Sequence, residues 1–193
     1  MEVEGLGRKA PSPRQLPVEP GVVAECVRWA RHCAEYRRYK QGNQWQRGLK
    51  SAMTLFGGHH AESHFSGLAI GKVAEWYAAY LFGVEIDLRF LPMGDGGVDL
   101  FLPCGPSQVK NGSHRRMLVK LGSRELRVSD WFIATKWDGS ERFVSVLGYA
   151  HKQQVLDAPI EDGMGPWKNH VVSVDTLKPI STLLQIRPVS EVM

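Results

Sequence analysis

From Gly21 to Tyr36 apolar residues recur at three- and four-residue steps. Val22, Cys26, Trp29, Cys33 and Tyr36 form one stripe, and arginines fill much of the rest, which predicts an amphipathic helix. Gly42 and Gly48 loosen the pattern, leaving residues 39–50 unassigned. A second helix is predicted over 61–82, ended by Gly83 as a cap, after the break at Gly57-Gly58-His59-His60. The period then changes to two. Val84 to Phe90 alternates as a strand, as does the run starting near Asp99 and the one carrying Gln108 and Lys110. Residues 113–129 are ambiguous, with Met117 to Leu121 readable as strand or helical turn. Asp130 to Trp137, the turn Asp138-Gly139 and Arg142 to Leu147 read as a hairpin. His151 to Leu156 reads as a short helix, 157–169 as a loop, and Val171 to Val174 as a last strand. Leu177 to Leu184 reads as a terminal turn or a helix interrupted by Pro179. Helices mixed with strands give an α/β fold class.

With 193 residues the chain suits one domain with a real core. Residues 1–20, with Pro11, Pro13, Pro17 and Pro20, are expected to be a flexible arm. Residues 21–193 form the domain, divided into a basic helical segment (21–56) and a core (57–193). No apolar run reaches the ~18–20 residues of a membrane helix, and the start lacks a secretory signal. A cytoplasmic or otherwise intracellular protein that is not secreted and has no membrane partner is expected. Cys26, Cys33 and Cys104 are odd in number and widely spaced, which disfavours a disulfide framework or zinc ribbon.

The net charge of +4 matters less than its placement. Arg28, Arg31, Arg37, Arg38, Lys40, Arg47 and Lys50 face one acid, Glu35; Lys110, Arg115, Arg116, Lys120, Arg124 and Arg127 face only Glu125. Two basic segments bracketing an acidic motif suit a polyanion such as DNA, with Arg37, Arg38, Arg115, Arg116 and Lys120 as contacts; two solvated surfaces are the plainer reading.

The acidic motif is Gly94-Asp95-Gly96-Gly97-Val98-Asp99, followed by Gln108-Val109-Lys110. Strand alternation puts Gln108 and Lys110 on one face and Val109 on the other. Asp99 can join them if the two runs pair. A carboxylate, an amide oxygen and an ammonium at a sheet end suit a divalent metal holding a phosphate. Gly67, Gly71, Glu75 and Ala78 or Ala79 share one side of the second helix. Either close packing on the sheet repays the two glycines and holds Glu75 near the strand ends, or the helix begins after Gly71 and Glu75 is a first-turn acid. Asp95 is a further acidic ligand or a turn residue. His60 and His64 have a zinc-compatible spacing, against which stand a helix entrance or a phosphate contact. Trp76, Trp131 and Trp137 read as packing residues.

Glu75, Asp99 and Gln108-x-Lys110 together resemble the PD-(D/E)XK nuclease superfamily. The Gly-Asp-Gly-Gly-Val-Asp and Gln-Val-Lys form is similar to Mrr-type restriction nucleases, where glutamine replaces the second acid. The resemblance covers about 67–110. It implies a restriction-endonuclease-like mixed central sheet flanked by helices, here with an extra N-terminal helical segment. It implies Mg²⁺, with Mn²⁺ able to substitute, held by Asp99 with Glu75, Gln108 and the Val109 carbonyl. Lys110 would position or deprotonate the attacking water, or stabilise developing charge. The expectation is a metal-dependent DNA nuclease, more readily an endonuclease. A homodimer would supply two sites for duplex cuts. Because Gln108 makes the site less negative, the alternative is a catalytically inactive nuclease-fold protein that binds nucleic acid. A protein-interaction domain for acidic partners is the third reading.

Overall fold

A computed structural model describes residues 14–41, 64–89, 97–112, 114–139, 141–163 and 167–185, without the side chains of 34–41 and 64–66. The architecture is mixed α/β, with two sheets and flanking helices. The strands of the first sheet are β1 (Arg14–Pro17), β2 (Leu100–Leu102), β3 (Gly105–Asn111), β5 (Trp131–Lys136) and β6 (Phe143–His151). They lie in the order β1-β6-β5-β3-β2. Only β3 and β5 run parallel; every other neighbour is antiparallel. The second sheet is built from β4 (Arg116–Lys120), β7 (Ile160–Asp162) and β8 (Lys168–Ser173). It is antiparallel, in the order β4-β8-β7.

Helices α1 (Pro20–Gln41) and α2 (His64–Phe82) pack on one another and over one face of the five-stranded sheet. Cys26, Val27, Ala30 and Cys33 form the buried side of α1, and Ala69, Val73 and Tyr77 meet them from α2. Ala74, Ala78 and Ala79 bring α2 onto Leu100, Leu102, Val109 and Ile133. These small side chains make the close approach. Gly67 and Gly71 do not: both are helical, and a Cβ on either would meet nothing within 4 Å among the described residues. Close packing therefore does not repay the two glycines, and the helix does not wait until after Gly71.

The other face of the sheet carries Phe132, Ala134, Leu147 and Ala150. Met117, Val119 and Val172 of the second sheet cover it, with Leu126 of α3 (Arg124–Val128) and Val155 of α4 (Lys152–Leu156). Truncating a large buried residue such as Ile133 or Phe132 would cost about 2–5 kcal/mol.

Several elements differ from the sequence expectation. Residues 14–17, expected in the flexible arm, form β1, with Leu16 opposite Val144; residues 1–13 lie outside the described set. Residues 84–89 belong to no strand. Val84 and Ile86 still pack on the core as the alternation implies, but the Asp87 carboxylate takes the backbone N–H of Arg89 at 2.9 Å, a local turn that competes with a ladder. The ambiguous segment resolves into β4 and α3. The 157–169 loop contains β7 and the start of β8. Pro179 stands at the entrance of α5 (Ile180–Leu183), where its missing N–H costs nothing, and does not interrupt it.

The β5–β6 hairpin forms as expected, with Gly139 at φ +93 in its turn and a bulge between Ala134 and Thr135. The helix read from His151 is α4, with His151 as its cap: the ring Nδ1 accepts from the Gln153 N–H at 3.2 Å. None of Cys26, Cys33 and Cys104 is in a disulfide, and burial pushes the Cys26 thiol up to about 12. Trp137 is buried and Trp76 and Trp131 are partly so, in keeping with packing roles.

Candidate active site

The β2–β3 hairpin pairs Leu100 with Ser107 and Leu102 with Gly105. One step beyond, Asp99 stands opposite Gln108. Both are buried. The Asp99 carboxylate oxygen Oδ2 accepts the Val109 backbone N–H at 2.7 Å and also the Gln108 amide Nε2. It thus takes a main-chain donor that a longer β2 would have bonded, and its charge strengthens both contacts. The Ser107 hydroxyl closes the turn side by donating to the Leu100 carbonyl at 3.0 Å. With Nε2 committed to Asp99, the Gln108 oxygen Oε1 is buried and has no hydrogen-bond partner among the described residues.

Val109 faces α2, as its place among Ala74, Ala78 and Leu100 shows. Gln108 and Lys110 therefore face the opposite way, beside Phe132 and Ala134 in register on β5. The Lys110 ammonium lies 2.7 Å from the Glu125 carboxylate of α3, each side chain about one-fifth exposed. Gly97 makes that approach possible. Its φ is +89, and a Cβ there would stand 3.0 Å from the Glu125 backbone nitrogen. The buried Ser129 fastens the same point by donating from its hydroxyl to the Gly97 carbonyl at 2.9 Å. Three sequence-distant segments meet here: 97–99, 108–110 and 123–129.

Glu75 sits in the α2 layer, on the far side of the sheet from Gln108 and Lys110. It pairs with Lys72, a buried residue whose ammonium also lies 4.4 Å from the centre of the Trp29 ring on α1. Lys72 is also the last of the charges that lower Asp87, after the dominant hydrogen bond from Arg89. A cleft of about 810 Å³ runs between the 84–89 segment and β2, lined by Glu85, Asp87, Arg89, Val98, Asp99 and Phe101 among others. Asp99 is thus reachable from a concave surface bearing two further carboxylates. Arg89 holds the Asp87 carboxyl below the usual range through bonds of 2.8 and 2.9 Å.

Asp95, His59 and His60 lie outside the described residues, as do the side chains of His64, Arg37 and Arg38, the last two being placed on α1. Arg116 and Lys120 are exposed on β4, and Arg115 precedes it. Among the described residues, no three His, Cys, Asp or Glu side chains gather to hold a metal ion, and no helix is long and apolar enough to cross a membrane. The donors that do converge are hard oxygens: the Asp99 carboxylate and the unpartnered Gln108 amide oxygen. Mg²⁺ needs no more than one or two carboxylates when water and a substrate phosphate complete its shell, so these residues fit it.

Sequence reasoning passed over Glu125 and Asp87 as site residues. Glu125 had one signal, as the single acid in the basic run from Lys110 to Arg127. Asp87 had none beyond its place in an alternating run. No protein-family profile, curated protein or solved structure matches this chain.

Proposed function

We propose that the chain is a metal-dependent DNA nuclease with a restriction-endonuclease-like core, hydrolysing phosphodiester bonds at the open end of the β2–β3 hairpin. The observation that carries this reading is the buried Asp99–Gln108 pair with Lys110 two residues on. A carboxylate fixed by a backbone N–H, an amide oxygen without a partner and a lysine on one strand form a ready donor set beside a cleft.

When bound, Mg²⁺ would neutralise phosphate charge and favour ionisation of water. The chain's own residues do the remainder. Asp99 and the Gln108 oxygen would hold the ion, with the Val109 carbonyl as an outer candidate; Glu75, across the sheet and paired with Lys72, would not reach it. Lys110, kept in place by Glu125, presents an N–H donor where charge grows on a phosphate oxygen. Glu85 and Asp99 leave the cleft net negative, since Arg89, which also lines it, answers Asp87. That potential favours a cation there and keeps a bare phosphate out until one is bound.

One observation favours the second reading, a nuclease-fold protein that binds nucleic acid without cutting: Oδ2 of Asp99 is already committed to two donors. Nicking of supercoiled plasmid with Mg²⁺, Mn²⁺ or EDTA separates the two. The nuclease reading expects nicking with either ion, none with EDTA, and loss of nicking in folded Lys110→Ala. Undiminished cutting by that variant would sink the assignment, and binding without cutting in any metal would leave the second reading.

A further inference from the structure

The second sheet covers the first with one face, and its other face carries exposed residues. On β4, Met117 and Val119 point inward and are buried, so Arg116, Leu118 and Lys120 point outward. Register adds their neighbours on β8: Ser173 beside Arg116, Val171 beside Leu118, and Asn169 beside Lys120. Four residue steps along β4 span roughly 13 Å, about the reach of two nucleotides in an extended strand. Leu118 is 47% exposed in the middle of this stripe. At its end stands Trp167, 54% exposed, with the Lys120 ammonium 3.2 Å from its ring centre.

We infer that this outward face is a stacking platform for single-stranded DNA, with Trp167 holding a base and Lys120 its phosphate. The ammonium lies over one face of the indole, so the other face takes the base while the ammonium meets the phosphate beside it. Leu118 and Val171 continue the apolar track, and the Asn169 amide offers hydrogen bonds to a base edge. Duplex DNA hides its base faces, so it would meet the cations alone.

The charge on the face argues the same way. Arg116 reaches across to Glu161 at 3.0 Å, so an acid answers one of the two cations on this face, Arg116 and Lys120. A face built to hold duplex phosphates would not balance its charges in this manner. Here stacking outweighs charge, which implies a shallow salt dependence. The platform joins the candidate site through short links at both ends: four residues separate β3 from β4, and three separate β4 from α3. The choice of DNA as the strand rests on the nuclease reading; the geometry of the platform does not.

The test is fluorescence anisotropy in EDTA, so that binding is read without cleavage. The probes are a labelled oligothymidylate, the same strand annealed as duplex, and heparin as a polyanion without bases. The wild-type chain should bind the single strand more tightly than the duplex, with a salt slope close to the −0.7 of a single phosphate contact. Trp167→Ala should weaken single-strand binding about tenfold, Trp167→Phe should keep most of it, and neither should alter heparin binding. An exposed position makes both variants foldable, which circular dichroism checks. Equal or tighter duplex binding, or an unchanged affinity in Trp167→Ala, overturns the platform. Neither result bears on nicking, which is measured separately with metal.

Discussion

The β2–β3 hairpin and the β4–β8 sheet use polar residues in opposite ways. In the hairpin, Asp99, Gln108 and Ser107 are buried and bond to one another or to the backbone, so their positions are set before any ligand arrives. On the second sheet, Arg116, Lys120 and Asn169 stand at or near the surface, with Arg116 paired to Glu161 and Lys120 lying over Trp167. The first arrangement gives precision at a point and the second gives contact along a length. Changes in the hairpin should therefore alter chemistry and stability, while changes on the sheet alter affinity.

The largest separation is expected in cleavage. Asp99→Asn should lower the nicking rate by more than about 100-fold, since it removes the charge that would hold the metal and leaves the shape nearly intact. Trp167→Ala should raise KM and leave kcat unchanged. Steady-state kinetics on a single-stranded substrate reads both, and a shared loss of kcat would erase the contrast.

Gly97→Ala comes next. It combines a left-handed φ with a Cβ pressed on the backbone at Glu125, and should cost about 1–3 kcal/mol in denaturant unfolding. Gly122→Ala, also at positive φ but with nothing within 4 Å of its Cβ, is the matched control and should cost less. Equal losses would mean that the strut between 97–99 and α3 carries no special load.

Gln108→Glu sharpens the hairpin side further. It replaces the amide donor with a second carboxylate against Asp99, and two such groups in one buried place raise the pKa of one of them. A raised folded-state value contributes stability that is present below the ordinary glutamate range and is lost as pH rises through the folded value. The variant should thus melt lower than wild type at neutral pH without metal, by an amount worth about 1–3 kcal/mol. It should recover in acid or on adding Mg²⁺. Melting curves at two pH values with and without the ion test this, and a pH-independent loss would point to packing instead.

The smallest expected effect belongs to the surface. Replacing both Arg115 and Arg116 by alanine should leave the salt slope of single-strand binding near the roughly −0.7 of one contact, since Lys120 holds the phosphate and Glu161 answers Arg116. Anisotropy across a salt series measures it, and a clearly shallower slope would extend the binding surface beyond Lys120 and Trp167.

How much of this could be read in advance follows the same division. The β5–β6 hairpin was legible because Asp138-Gly139 sits between two apolar runs, a purely local signal. The Gln108 strand was legible for the same reason. The first helix was legible as well, although its buried side uses Val27 and Ala30 in addition to Cys26 and Cys33. The alternation at 84–89 held for Val84 and Ile86, which pack on the core, but Asp87 is half-buried as they are; a strand also needs a partner for its N–H groups, and Asp87 supplies one locally. β4 was ambiguous because Leu118 and Leu121 are apolar and exposed, which blurs a period of two. β1 was illegible because a four-residue strand exists only by pairing with a segment about 130 positions later. The meeting of Lys110 with Glu125 is tertiary in the same sense, and no spacing rule anticipates it.

That late pairing has a practical consequence for where the folding unit begins. β1 lies along the edge of β6, a nine-residue strand that is otherwise bonded on its other side by β5. A version of the protein trimmed to begin at Gly21 would keep both long helices but leave the Phe143 to Val146 backbone facing solvent with its N–H and C=O groups open. Bare edges of that kind recruit strands from neighbouring molecules. The trimmed chain is expected to self-associate on concentration, visible by light scattering, whereas a chain starting at Arg14 stays dispersed.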